Sequence, residues 1–150
     1  MEHKDTFDLE DDRLPLLPPD TYGLRYISHK TSLYNGTQPK LEISFLVTWP
    51  QEFSGAVVTR YYNVKRLRGA SGEKGGFVPG FRGDFLIEYL SLFGGDFGRL
   101  DRMPMSVFRN KTIVGEVITV TEARGRKRPE PLHYSKVAKL LYIDSDGVFQ

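Results

Sequence analysis

The segment Thr59-Arg60-Tyr61-Tyr62-Asn63-Val64-Lys65-Arg66-Leu67-Arg68 packs flat rings, cations and strand-forming residues into ten positions. The chemistry open to it is non-covalent: a ring stacks on a nucleobase, at about 1–3 kcal/mol per base, while a neighbouring cation follows the phosphates. Tyr, Val and Thr favour a pleated, half-buried surface. Alternation along a strand then places Tyr61, Asn63 and Lys65 on one face and Tyr62, Val64 and Arg66 on the other, so one face offers a ring together with a cation. Covalent chemistry finds less support. Asp84, Glu88, Asp96 and Asp101 are the carboxylates from which a metal-dependent nuclease could be built, but they show no converging spacing with a nearby Lys or His. Asp84 is explained by favourable charge at a helix start. There is no cysteine, which removes disulfides, thiol catalysis and Cys-based metal sites, and His3, His29 and His133 have no second ligand at useful spacing. The sequence predicts no catalytic residue, no metal and no cofactor.

The elements that must position these residues read as follows. A first strand is predicted over Tyr22 to His29, then a polar loop from Lys30 to Pro39 with a turn signal at Asn35-Gly36. In the second strand Leu41, Ile43, Phe45, Val47 and Trp49 alternate with polar residues, which assigns Trp49 to the core. The third strand is expected from Ala56 to Leu67. Residues 69–76 are a glycine-rich loop, expected to be mobile, whose spacing does not fit a phosphate-cradling P-loop. Asp84 to Phe93 carries apolar residues at helical spacing and ends at Gly94-Gly95, and a single helical turn is expected near Met105 to Phe108. The β-branched run Thr112 to Glu122 and the run Tyr134 to Ile143 make the last two strands, joined by a basic tip.

Three strands, a helix and two strands predict a mainly β protein with one helix, a five-stranded OB-fold-like barrel. In that architecture the loops after the first and fourth strands flank the face made by the second and third. Lys30 and Tyr34, with His29 and Lys40, come from the first loop. Arg60, Tyr61, Lys65 and Arg66 come from the third strand, and Arg124, Arg126, Lys127 and Arg128 from the second loop. Segments far apart in sequence would converge on one cleft.

Charge is divided along the chain. Of its 21 bases and 19 acids, residues 1–20 hold two bases and seven acids, leaving 19 bases and 12 acids beyond residue 20. The arm is thus −5 and the body +7, a pattern that points to a polyanionic partner. The 150 residues suit one domain: an acidic, proline-rich flexible arm over 1–20, a domain over 21–143 and a tail over 144–150. No apolar run is long enough to span a membrane, and the polar start differs from a secretory signal, so a soluble, cytoplasmic protein is expected. The Asn-x-Thr patterns at Asn35 and Asn110 are then accidental.

Arg60-Tyr61-Tyr62-Asn63-Val64-Lys65-Arg66-Leu67, Asp84-Phe85-Leu86, Leu100-Asp101-Arg102-Met103-Pro104 and the final basic hairpin and strand resemble a family of short phage and mobile-element proteins. Those are thought to be OB-fold single-stranded-DNA-binding proteins of replication and recombination modules. The resemblance covers roughly residues 20–143, and it implies that Tyr61, Lys65 and the tip from Arg124 to Arg128 face DNA. The tail departs from the acidic, Phe-terminated tail of many bacterial single-strand binders, because it is thinly acidic and closes on Gln150. The expected function is non-catalytic binding of single-stranded DNA with little base specificity, stacking on Tyr61, with Tyr34 and Trp49 as further candidates. About four neutralised phosphates would give a log–log salt slope near −3. RNA is the alternative strand, a phage or host replication or recombination protein a further partner, and a homodimer could form through strand edges. The competing expectation is a protein-binding inhibitor or adaptor, such as a phage anti-defence protein acting on a nucleic-acid enzyme.

Overall fold

Alternating apolar residues drive the chain into a closed ring of strands. The structure, a computed structural model, describes residues 16–123, 126–127 and 133–145. Five strands build the ring: β1 (Asp20–Tyr34), β2 (Gln38–Trp49), β3 (Val57–Asn63), β7 (Thr112–Val120) and β10 (Tyr134–Ser145). β1 pairs with β2 and β2 with β3, both antiparallel. β10 runs parallel to β3 and antiparallel to β7, and β7 returns antiparallel to β1, so the ring is uneven but closed. Its interior is filled from successive strands by Leu24, Leu41, Ile43, Phe45, Val47, Val58, Ile113, Val117, Val137 and Leu140, all buried.

Three short pairs lie outside the ring. β4 (Arg66–Arg68) pairs with β6 (Gly76–Val78), β8 (Glu122–Ala123) with β9 (Arg126–Lys127), and β5 (Gly72–Glu73) adds to the edge of β1. The expected third strand from Ala56 to Leu67 is therefore two elements. The ladder with β2 ends at Asn63, and after Val64 the Lys65 amide donates to the Val78 carbonyl, which starts a new hairpin. The expected polar loop from Lys30 is also corrected. β1 runs on to Tyr34 and turns through Asn35 (φ 54°) and Gly36 (φ 76°), two left-handed residues as a tight hairpin requires.

The one α-helix among the described residues, α1 (Asp84–Phe93), begins where acid is favoured and stops at Gly94, whose amide closes on the Leu90 carbonyl at 3.0 Å. Its inner face buries Phe85, Leu86, Glu88 and Tyr89. Phe108, in the helical turn expected there, gathers Tyr26, Phe45, Tyr89 and Phe93 around it at ring distances of 4.9–6.4 Å. Helix and barrel thus share one aromatic core. Of the arm predicted over 1–20, residues 1–15 lie outside the described residues; the remainder is docked. Leu17 is buried with its amide on Ser135 Oγ at 2.6 Å, and the Tyr22 hydroxyl donates to the Pro18 carbonyl at 2.6 Å. Asp144 and Ser145, assigned to the tail from sequence, belong to β10. Among the described residues no helix is long and apolar enough to cross a membrane.

The glycine-rich loop, expected to be mobile, is strapped to β1. The Gly72 amide donates to Thr31 Oγ1 at 3.2 Å and the Lys74 amide to the His29 carbonyl at 2.9 Å. Gly75 closes on the same hydroxyl: a Cβ there would sit 2.2 Å from Thr31 Oγ1. Gly75→Ala should therefore lower stability by about 1–3 kcal/mol through overpacking. Thermal unfolding should show a smaller loss for the same change in a Thr31→Ala background, and equal losses in both backgrounds would refute the contact.

His29 carries a second consequence of the strap. Its ring is buried with Nδ1 2.7 Å from the Tyr26 hydroxyl. Burial, then the Lys74 ammonium, lower its pKa below the ordinary 6.5. The unfolded chain binds this proton first, so the native state loses stability as pH falls below about 6.5 towards the folded value, and gains nothing from this group above it. Urea unfolding near pH 5 and pH 7.5 should show a smaller difference for His29→Gln than for the parent; an unchanged difference would exclude His29 as the source.

Candidate nucleic-acid interface

The ring is weakest where β3 meets β10. A single residue pair, Val137 with Arg60, joins the two parallel strands. The inner residues of β3, alternating as Val58, Arg60 and Tyr62, put a guanidinium inside the protein at this seam. A buried charge must be paired, and α1 supplies the partner. Glu88 receives Arg60 Nε at 3.2 Å and Nη2 at 2.5 Å, the Tyr62 hydroxyl at 2.7 Å and the Leu140 backbone amide of β10 at 3.2 Å. Burial, and next the Glu88 carboxylate, push the Tyr62 hydroxyl well above its usual range, which keeps it protonated and donating. One carboxylate from the helix thus ties β3 to β10 where ladder bonds are missing.

This network corrects the placement of Arg60. It was expected to offer a free cation to a strand of nucleic acid; it borders the groove at this seam, but it is 6% exposed, lies over the Tyr62 ring at 4.2 Å and is neutralised by Glu88. The physical reason is parity: Arg60 shares a face with Val58 and Tyr62, and that face is the core.

Outside the same seam lies a groove of about 560 Å³. Lys40 of β2, Tyr61 and Asn63 of β3, Arg82 and Asp84 at the start of α1, and Lys136 of β10 line it. With Arg60 and Glu88 cancelling, three cations face one carboxylate. Lys136 is half-buried, and burial, then Arg60 and Lys40, lower its ammonium pKa. Among the described residues no carboxylate is paired with it. A group whose charge is disfavoured by burial and by neighbouring cations is one that an incoming anion would relieve. Lys40 is held in place, its Nζ donating to Asn63 Oδ1 at 2.5 Å and lying 5.4 Å from the centre of the Tyr34 ring.

Tyr61 is the ring of this groove. It is 38% exposed on the outer face of β3, and burial, then the Glu42 carboxylate, raise its hydroxyl pKa so that it stays neutral. Register places it in a row with Glu42 and Lys30, which form an ion pair at 3.9 Å, and the next row holds Ser32, Lys40 and Asn63. Lys30 and Tyr34 thus stand on the outer face of β1, in strand rather than in a loop, two strands away from Tyr61 and one from Lys40. Lys65 and Arg66 are exposed beyond the end of β3 and do not line the groove. Arg126 and Lys127 are exposed on β9, in the connection that leads into β10, while Arg124 and Arg128 lie outside the described residues.

The sequence reading missed Arg82 and Lys136 and put Lys40 in a loop. Lys136 alternates with the buried Ser135 and Val137, so its outward position was readable, but not that β10 would run beside β3. Of the carboxylates considered for metal chemistry, Glu88 is committed to Arg60, and Asp101 is held by Arg99 through two contacts of 3.0 Å. No protein-family model, curated protein or solved structure matches the chain, so the chemistry of the groove is read from its own residues.

Proposed function

We propose that this chain is a non-catalytic binder of single-stranded DNA, built on an OB-fold and serving a phage or mobile-element replication or recombination system. The observation that carries the reading is the seam groove, where Tyr61 stands among Lys40, Arg82 and Lys136 while the buried Arg60 is neutralised from within by Glu88. The fold supports it. Taking only the five long strands, neighbours run first, second, third, fifth, fourth and back to first, with the helix between the third and fourth, as expected for an OB barrel whose second and third strands present the binding face. A single ring stacks on any base, and cations read phosphate alone, so little sequence preference is expected.

Fluorescence anisotropy with a labelled oligo-dT of about 30 nucleotides, beside the matching duplex, tests this directly. Preference for the single strand with a log–log salt slope near −2, for about three phosphates on Lys40, Arg82 and Lys136, is expected. A flat salt response or equal affinity for duplex would overturn it. A second reading draws on the outer face of β1, β2 and β3, where Ile27, Leu46 and Val57 are exposed and Leu46 and Val57 are register partners. That apolar strip favours a protein partner, as an inhibitor or adaptor of a nucleic-acid enzyme would require. A stoichiometric partner retained after nuclease treatment, with no strand binding at low salt, would select it.

A further inference from the structure

A second concave site, lined from β1, β2, β7 and the far end of β10, shares no residue with the seam groove, and it is organised by one β-bulge. Between Gly23 and Leu24 the register of β1 against β2 shifts: Leu24 pairs with Val47, but Gly23 pairs with Trp49. Thr48 is the extra residue, and its hydroxyl donates to the Gly23 carbonyl at 3.3 Å. An extra residue flips the alternation that follows it. Trp49, which shares parity with the buried Phe45 and Val47 and was expected in the core, is turned outwards and is 56% exposed.

The turn places Trp49 at one end of a row that crosses four strands. Gly23 pairs with Trp49 on one side and Val114 on the other, and Val114 pairs with Tyr142 of β10. Tyr142 is also 56% exposed. Two solvent-facing rings thus stand about three strand spacings apart, roughly 14 Å along the row, with a glycine and a valine between them. The trough they bound has a volume of about 480 Å³, in the range of about 300–1,000 Å³ typical of small-molecule sites. Its floor depends on the glycine: a Cβ at Gly23 would come within 3.2 Å of the Trp49 Cβ and 3.4 Å of the Thr112 Cγ2. Arg25 and Asp144 line it as groups of opposite charge, with Gln51 beside them.

We propose that this trough is a nucleobase site, separate from the seam. A floor of Gly23 and Val114 flanked by Thr21, Thr48 and Thr112, aromatic walls and a rim where the Gln51 amide can both donate and accept hydrogen bonds match a heteroaromatic ring, whose faces are apolar and whose edge carries donors and acceptors. A simple anion would not need the two rings, and an aliphatic ligand would not need the polar rim. The site does not depend on the seam binding DNA. The base comes either from a free nucleotide or from a strand passing over the barrel.

Trp49 is the only tryptophan, so its fluorescence and its indole N–H resonance report on this trough alone. Titration of the full chain with dAMP, dTMP and oligo-dT, with ribose 5-phosphate as the ring-free control, should give saturable quenching and a shifted indole peak for the base-containing ligands only. Tyr142→Ala should weaken mononucleotide binding about tenfold through loss of one stacking face, and Tyr142→Phe should restore it. Variants of Lys40 and Lys136 should leave it unchanged. Non-saturating quenching with an unmoved indole peak, or an equal response to ribose 5-phosphate, would overturn the proposal. If oligo-dT binds by anisotropy while Trp49 stays silent to every ligand, the trough fails and the seam stands. Saturable mononucleotide binding without strand binding sustains the trough and fails the seam, and quenching by oligo-dT alone assigns the base to a strand.

Discussion

Replacing Glu88 by alanine is expected to cost about 3–5 kcal/mol, the value for breaking a buried ion pair from one side. Glu88 collects four donors from two strands, Arg60 twice, Tyr62 and the Leu140 amide. Alanine would leave the Arg60 guanidinium charged inside the protein with only the exposed Asp84 carboxylate, 3.9 Å from its Nη2, as counter-charge, and would orphan a hydroxyl and a backbone amide at about 1–3 kcal/mol each. Against a typical total stability of about 5–15 kcal/mol this is a large share. For a chain of this size it corresponds to a fall in melting temperature of about 10 °C. The matched double change Arg60→Met with Glu88→Leu removes both charges, so it should be less damaging than the sum of its singles, while Tyr62 and Leu140 still lack their acceptor. A cycle of these four proteins should return a coupling of about 0.5–3 kcal/mol. A Glu88→Ala protein that melts with the parent would mean that the helix does not clamp the seam. The same variant also bears on function, because the clamp holds β3 against β10 directly beneath the groove.

What could be read from the chain beforehand follows from how local each signal is. The second strand, the helix and the last two strands were legible because apolar residues repeat at the strand or helix period over eight or more positions. A mainly β, barrel-like ring with one helix was foreshadowed by the count and order of elements, since few topologies accommodate three strands, a helix and two more. Parity failed at one residue. Trp49 continues the inward series Leu41, Ile43, Phe45, Val47, yet the bulge at Thr48 depends on how β1 pairs, and nothing within β2 announces it. Arg60 failed for the opposite reason: parity with Val58 and Tyr62 did point inward, but its charge suggested solvent, and its partner Glu88 lies 28 residues away on the helix.

The seam groove was half legible on the same grounds. Tyr61 could be identified because ring and outward parity both belong to β3. Lys136 and Arg82 join it only through the closure of β10 on β3 and the docking of α1, contacts between segments more than 50 residues apart for Lys136 and Tyr61. The strap over β1 was hidden likewise, because glycine content signals freedom until a specific hydroxyl, here Thr31, takes up the loop's amides.

The groove itself is tested most sharply by separating charge from ring. Changing Lys40 and Lys136 together to alanine should reduce the salt slope for oligo-dT from about −2 to about −0.7, since each lost phosphate contact removes about 0.7. At low salt the affinity should fall on the order of tenfold for each cation removed, and the difference should vanish as salt approaches about 1 M. Tyr61→Ala should behave differently: it removes a stacking face, at about 1–3 kcal/mol or roughly 5- to 150-fold in affinity, while the slope stays where it was. Lys65→Ala with Arg66→Ala serves as the contrast, since both cations are exposed yet stand off the groove, and neither affinity nor slope should move by as much as the Lys40 and Lys136 pair. These substitutions are at exposed or half-exposed side chains, so thermal unfolding should remain near the parent, and a lost slope then reports contact rather than unfolding. Were the Lys65 and Arg66 pair to carry the slope and the Lys40 and Lys136 pair to leave it untouched, the strand would run over the β4–β6 hairpin, and the seam would lose its assignment.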